Sequence, residues 1–168
     1  MDIYEKILEE IEERRYVIHH GDEKEFEYLK KDGYAIEVVN ETGNEEDSLF
    51  IEYFEGKYAL FFAGTFETYI PEYEEDVYVL LKDISDILNS RKCAVSLFYN
   101  TDDFPKCMAS GFVKAKDVKG KSIDDVFRYV FMSKTLKDKI DINGVRADYR
   151  FFDTSKNESI LIDKKNRN

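Results

Sequence analysis

Tryptophan is absent from this chain of 168 residues, and proline, cysteine and histidine each occur only twice. Two prolines leave no Pro-rich linker, and no repeat or low-complexity stretch divides the chain. A chain of this length buries on the order of 70% of its unfolded surface without staples. The expectation is therefore one globular domain over residues 1–168, with a mobile tail at 163–168. Cys93 and Cys107 cannot build a disulfide framework, and their separation of 14 fits no paired zinc-ligand pattern. Reduced thiols are expected, with Cys93 in the core.

The histidines are the neighbours His19 and His20, so any Ser-His-Asp or Cys-His centre must use one of them. Adjacent strand residues point to opposite faces, so a shared metal ion would need a turn there, with Asp22 or Glu23 helping. No catalytic residue and no metal ligand is assigned on that basis. Gly43, Gly56 and Gly64 are scattered, and Gly111, Gly120 and Gly144 lack the strand-to-helix setting of a phosphate loop. No cofactor is expected. There is no run of 18 apolar residues, and residues 1–13 are acidic and amphipathic rather than leader-like. These features predict a cytoplasmic protein that does not engage a membrane.

What the chain has in plenty is acid and aromatic rings. Residues 1–90 carry 25 Asp and Glu against 8 Lys and Arg, a balance of −17, while residues 91–168 carry 11 against 17, a balance of +6. The halves could neutralise each other, or the acidic half could present a field that attracts a basic partner and disfavours nucleic acid. Lys114, Lys116, Lys119 and Lys121 form the one candidate nucleic-acid patch, and it is short in a chain of pI near 4.8. No nucleic-acid binding is expected.

Nine of the 25 Phe and Tyr residues fall between Leu49 and Tyr73. Runs at 49–54 and 58–63 flank Glu55-Gly56-Lys57, whose glycine tolerates positive φ, which predicts an antiparallel hairpin. Both faces of that hairpin are largely apolar, so either helices cover both or one aromatic face serves a partner. After it, Val77, Leu80, Leu81, Ile84, Ile87 and Leu88 recur at helical spacing, and Glu72, Glu74, Glu75 and Asp76 suit the positive end of a helix dipole. A strand at 93–99 then completes a β-β-α-β core unit over residues 49–99.

Elsewhere, residues 2–15 read as an amphipathic helix ended by Arg14 and Arg15, and 16–18 as a short strand before a turn. Residues 22–32 suit either a short helix, from Phe26 and Leu29, or a strand, from Phe26 and Tyr28; the strand is favoured. Further strands are expected at 34–39, 110–116, 145–152 and 159–162, the last two paired. Ser122 at a capping position, with Asp124 and Asp125 in the first turn, predicts a helix over 122–132. The fold class is α+β: a mostly antiparallel sheet with about three helices packed on it.

Carboxylates are too plentiful to mark an active site. The surface pattern is more informative. Tyr69 and Tyr73 interleave with Glu67, Glu72, Glu74, Glu75 and Asp76 at a strand-to-helix junction. Rings that supply contact area beside charges that steer suit a protein interface. The expectation is a non-enzymatic acidic module, monomeric or homodimeric, that occludes a basic protein partner, as an immunity protein does for a bacterial toxin. Two alternatives are a small carboxylate-based enzyme, perhaps metal-dependent, and a regulatory domain that self-associates through its aromatic sheet face.

Overall fold

A two-residue turn is what pins the aromatic hairpin: Glu55 and Gly56 both take positive φ, 50° and 78°. That conformation matches the right-handed twist of the flanking strands. It joins β3 (Leu49–Phe54) to β4 (Lys57–Phe62). Ala63 and Gly64 repeat the device at φ 47° and 77°, and they join β4 to β5 (Thr65–Tyr69). The computed structural model describes residues 2–30, 32–99, 107–118 and 145–162. They belong to two compact units, Met1–Asn89 and Ser90–Asn168. The class is α+β, with two antiparallel sheets in place of the one expected.

In the first unit β1 (Tyr16–His20), β2 (Tyr34–Val38), β3, β4 and β5 form a meander in chain order. Ile36, Ile51 and Leu60 are paired neighbours across three strands and are fully buried, which marks one face as the core face. Two helices lie on it, α1 (Ile3–Glu10) and α2 (Glu74–Leu88). The Tyr4 ring of α1 meets Tyr34 of β2 edge to face, and the Tyr69 hydroxyl of β5 donates to Asp83 of α2 at 2.9 Å. The apolar stripe of α2 buries Leu80, Ile84 and Ile87 completely, each contributing on the order of 1.5–3 kcal/mol.

The opposite face is only partly covered. Residues 22–30 form turns and a single 3-10 turn over Glu27–Leu29, not the strand favoured from the sequence. The reason is packing: Phe26 stacks on His19 at 4.2 Å, Leu29 is buried, and the Tyr28 hydroxyl donates to Glu52 at 2.5 Å. A Cβ on Gly21 would lie 1.9 Å from the Lys30 carbonyl oxygen, so only glycine lets this segment fold back so tightly. On the same face Phe50, Phe61 and Phe66 are successive partners across β3, β4 and β5, and Phe66 on the edge strand is 64% exposed.

The second unit holds β6 (Lys92–Tyr99), β7 (Cys107–Lys114), β8 (Val145–Arg150) and β9 (Glu158–Ile162) in the order β7-β6-β8-β9. Cys93, Val95 and Leu97 alternate onto one face and pack with Val113, Val145, Ala147 and Tyr149. The other face is amphipathic, with the Arg146 guanidinium 4.6 Å from the Phe98 ring centroid. The β8–β9 pair forms as expected.

Several boundaries and assignments change. The strand after α2 does not close a β-β-α-β unit; it begins the second sheet, where it pairs with β7 and β8. The first helix stops at Glu10, and Arg14 lies beyond it and donates from Nη2 to the Leu88 carbonyl at 3.4 Å. Its charge therefore complements the C-terminus of α2 rather than of its own helix. The helix expected over 122–132 and the tail at 163–168 lie outside the described residues. No helix among the described residues is long and apolar enough to cross a membrane.

Candidate functional site

The β5-to-α2 junction is built from backbone geometry upward. Tyr73 takes the N-cap position in an extended conformation (φ −99°, ψ 117°), and no side chain caps the helix from that position. The turn before it is closed by the Tyr73 N–H, which donates to the Ile70 carbonyl at 3.1 Å, and by the Ile70 N–H, which donates to Asp76 Oδ2 at 2.8 Å. Asp76 therefore has an internal structural role. Glu74 and Glu75, in the first helical turn with Asp76, favour the positive helix end by about 0.3–1 kcal/mol each.

The seven residues singled out from the sequence divide into two groups. Glu72, Tyr73, Glu74 and Glu75 project outward, and Tyr73 is 61% exposed, while Glu67 is exposed but its carboxylate bonds the Tyr69 hydroxyl. Tyr69 is 3% exposed and Asp76 holds the turn, so these two support the surface from within. Burial pushes the Tyr69 hydroxyl far above its ordinary pKa, and the carboxylates of Asp83 and Glu67 beside it act in the same direction. It remains a neutral donor. Two residues not anticipated join the outward set: Tyr78, 69% exposed, and Val79, 41% exposed, one turn into α2. Tyr78 was legible as an aromatic lying off the apolar stripe of an otherwise regular amphipathic helix.

The acid-base inventory is elsewhere and internally satisfied. His19 Nε2 lies 3.1 Å from Glu37 Oε2 and its Nδ1 lies 3.2 Å from Glu23 Oε2. Partial burial opposes the charged ring, but the hydrogen bonds to Glu37 and Glu23 outweigh it and hold its pKa above 6.5. Its neighbour His20 faces the other side of the sheet, as alternation requires. Burial raises the pKa of Glu52, opposed by the hydrogen bond from Tyr28. Cys93 is buried in the second unit and its thiol is pushed up to about 12, which keeps it protonated and a poor nucleophile. Among the described residues no group of three or more His, Cys, Asp or Glu is placed to hold a metal ion.

The arrangement can thus offer exposed rings and carboxylates to another macromolecule, while His19 is held by Glu23 and Glu37 and the buried carboxylates accept from Tyr28, Tyr69, Lys82, Thr42 and Asn44. Comparison with known proteins finds no family model that matches the chain and no match among curated proteins or solved structures.

Proposed function

We propose that the chain is a protein-binding module whose acidic first unit engages and occludes a basic protein partner through the β5-to-α2 junction. One observation carries this reading: Tyr73 and Tyr78, each more than 60% exposed, stand among the outward carboxylates Glu72, Glu74 and Glu75 on a helix anchored to a buried core. Exposed tyrosine rings supply rigid contact area at low conformational-entropy cost, and surrounding charge of one sign steers an oppositely charged surface. An inhibitor of the immunity-protein kind, set against a toxin with a basic active surface, is the form of this function that the acid excess fits best.

The test begins with a basic protein co-purified from the native cell. Its own activity must fall to zero at stoichiometric addition of this chain, and the complex must weaken as salt rises. Glu72→Lys combined with Tyr73→Ala and Tyr78→Ala should lower affinity by at least a hundredfold, following the usual cost of removing anchor rings. Unchanged affinity in a variant that retains the wild-type melting temperature would sink the proposal. A second reading, self-association through the sheet face, has its own support in the exposed Phe66 stacked on Phe61 at 5.5 Å. It predicts a concentration-dependent sedimentation coefficient that Phe66→Ser abolishes.

A further inference from the structure

β5 is the last strand of the first sheet, and no strand among the described residues pairs with its outer edge. The direction of its hydrogen bonds follows from the turn that precedes it. A two-residue turn makes the residues flanking it, Phe62 and Thr65, a hydrogen-bonded pair, and such pairs alternate along an antiparallel ladder. Thr65, Glu67 and Tyr69 therefore bond inward to β4, while Phe66, Thr68 and Ile70 turn their N–H and C=O groups away from it. Ile70 obeys this pattern, since its N–H donates to Asp76 Oδ2 and its C=O accepts from the Tyr73 N–H. The junction thus closes the outer edge at Ile70 and leaves it open at Phe66 and Thr68. Phe66, Glu67 and Thr68 are all exposed.

An unpaired edge accepts another strand, and the side chains along it select which one. Phe66 ends a cross-strand row with Phe50 and Phe61, so an apolar side chain set beside it would continue that row over its exposed ring. Glu67 points to the opposite face, at the end of the row Ile36, Ile51 and Leu60. Its carboxylate bonds the Tyr69 hydroxyl and, with lone pairs to spare, still presents its charge at the edge. A second copy of β5, paired antiparallel in full register, would set Glu67 directly opposite its own counterpart, and like charges so placed repel. A cationic side chain at that position is attracted. The edge therefore suits a strand of alternating apolar and basic residues and disfavours its own copy.

We infer that the outer edge of β5 takes an extended segment of the basic partner as an added strand, with apolar side chains beside Phe66 and Thr68 and a lysine or arginine beside Glu67. The inference rests on the reading that the first unit engages a basic protein, and it supplies the mode of binding. β5 leads directly into the turn that carries Tyr73, so the added strand would lie next to the proposed anchor rings.

The full chain is titrated with a capped heptapeptide of alternating valine and lysine, valine at both ends, and in parallel with the same peptide N-methylated on its valines. N-methylation keeps every side chain and charge but removes the donors that would face β5. In amide chemical-shift titrations at constant ionic strength, the unmodified peptide should give saturable shifts at Phe66 and Thr68 and slow their hydrogen exchange. N-methylation should weaken it about tenfold, the size of two backbone hydrogen bonds. Thr68→Pro removes an outward donor at an edge position where proline is tolerated, and it should weaken the unmodified peptide to a similar extent. Should that variant fail to fold, the two peptides compared on the wild-type chain make the test alone. Equal affinity for the two peptides, or shifts confined to residues 72–75, would overturn the inference. The co-purified partner separates this mode of binding from the junction reading. Binding lost in the Glu72→Lys, Tyr73→Ala, Tyr78→Ala variant but kept in folded Thr68→Pro would retain the junction and overturn strand addition. Slowed exchange at Phe66 and Thr68 in a complex that the triple variant leaves intact would retain strand addition and sink the junction.

Discussion

The two units are both antiparallel sheets, yet they treat charge in opposite ways. The first unit carries a balance of −17 over residues 1–90 and buries four carboxylates to 9% exposure or less: Asp47, Glu52, Asp83 and Asp86. The second carries +6 over residues 91–168, and its buried polar side chains among the described residues are the hydroxyls of Ser90 and Ser96. Each buried acid of the first unit has a partner: Tyr28 donates to Glu52, Tyr69 to Asp83, Lys82 to Asp86, and Thr42 and Asn44 to Asp47. Buried charge without such partners would cost several kcal/mol per group. The lesson is that an acid count overstates the field a surface presents. Part of the excess is internal structure, and only the outward part, such as Glu72, Glu74 and Glu75, can steer a partner.

That comparison can be broken most forcefully at the two cores. Ile84→Ala in the first unit and Leu97→Ala in the second each remove a fully buried side chain, and each should cost about 2–5 kcal/mol in urea unfolding. A cost below about 1 kcal/mol for either would mean that its sheet is not held by the packing described. The distinction between internal and outward acids is sharpened next. Asp83→Ala removes the acceptor 2.9 Å from the buried Tyr69 hydroxyl, leaving Glu67 as the carboxylate beside it, and should cost about 1 kcal/mol or more, whereas Glu72→Ala should stay within about 0.5 kcal/mol. Similar values for the two would erase the distinction.

The smallest effect concerns pH. Because the folded pKa of His19 lies above its ordinary 6.5, the stability contributed by its bonds to Glu37 and Glu23 is complete below 6.5. It is lost as pH rises through the folded value. His19→Gln should therefore flatten the decline in urea midpoint between about pH 6 and about pH 8, while leaving the midpoint above that window nearly unchanged. Glu23 is also drawn below its ordinary value, first by the backbone N–H of His20 and then by His19, but its window lies below 4.5 and does not overlap. An undiminished slope in the variant would assign the pH response to another group.

Much of the first unit could be read directly. The α2 stripe, the hairpin at Glu55-Gly56 and the outward carboxylates followed from periodicity and turn chemistry, which act over a few residues. The strand β5 lies beyond the two predicted runs at 49–54 and 58–63, although Ala63-Gly64 repeats the glycine turn of the preceding hairpin, because Tyr69 stands close in sequence to the carboxylates of the helix entrance. Its neighbour relations are local, and an X-Gly pair between two aromatic runs would have been signal enough. The segment at 22–30 was misjudged for a different reason. Phe26 and Tyr28 alternate as a strand would, but they answer to His19 and Glu52 across the sheet face.

Local patterning by itself determined the β3–β4 hairpin and the α2 helix with its burial stripe, because each depends only on residues within a turn or a strand of one another, and composition alone gave the division of charge near residue 90. Tertiary structure alone decided that β6 leaves the first sheet to pair Leu97 with Ala147, 50 residues on. The alternation of Cys93, Val95 and Leu97 suits any antiparallel neighbour equally well, so the choice lies with the partner strand. It also decided that of two tyrosines in the same acidic stretch, Tyr69 is buried against Asp83 while Tyr73 faces water. Only three residues of chain lie between them, but what sets their roles is the helix that folds back over one and not the other.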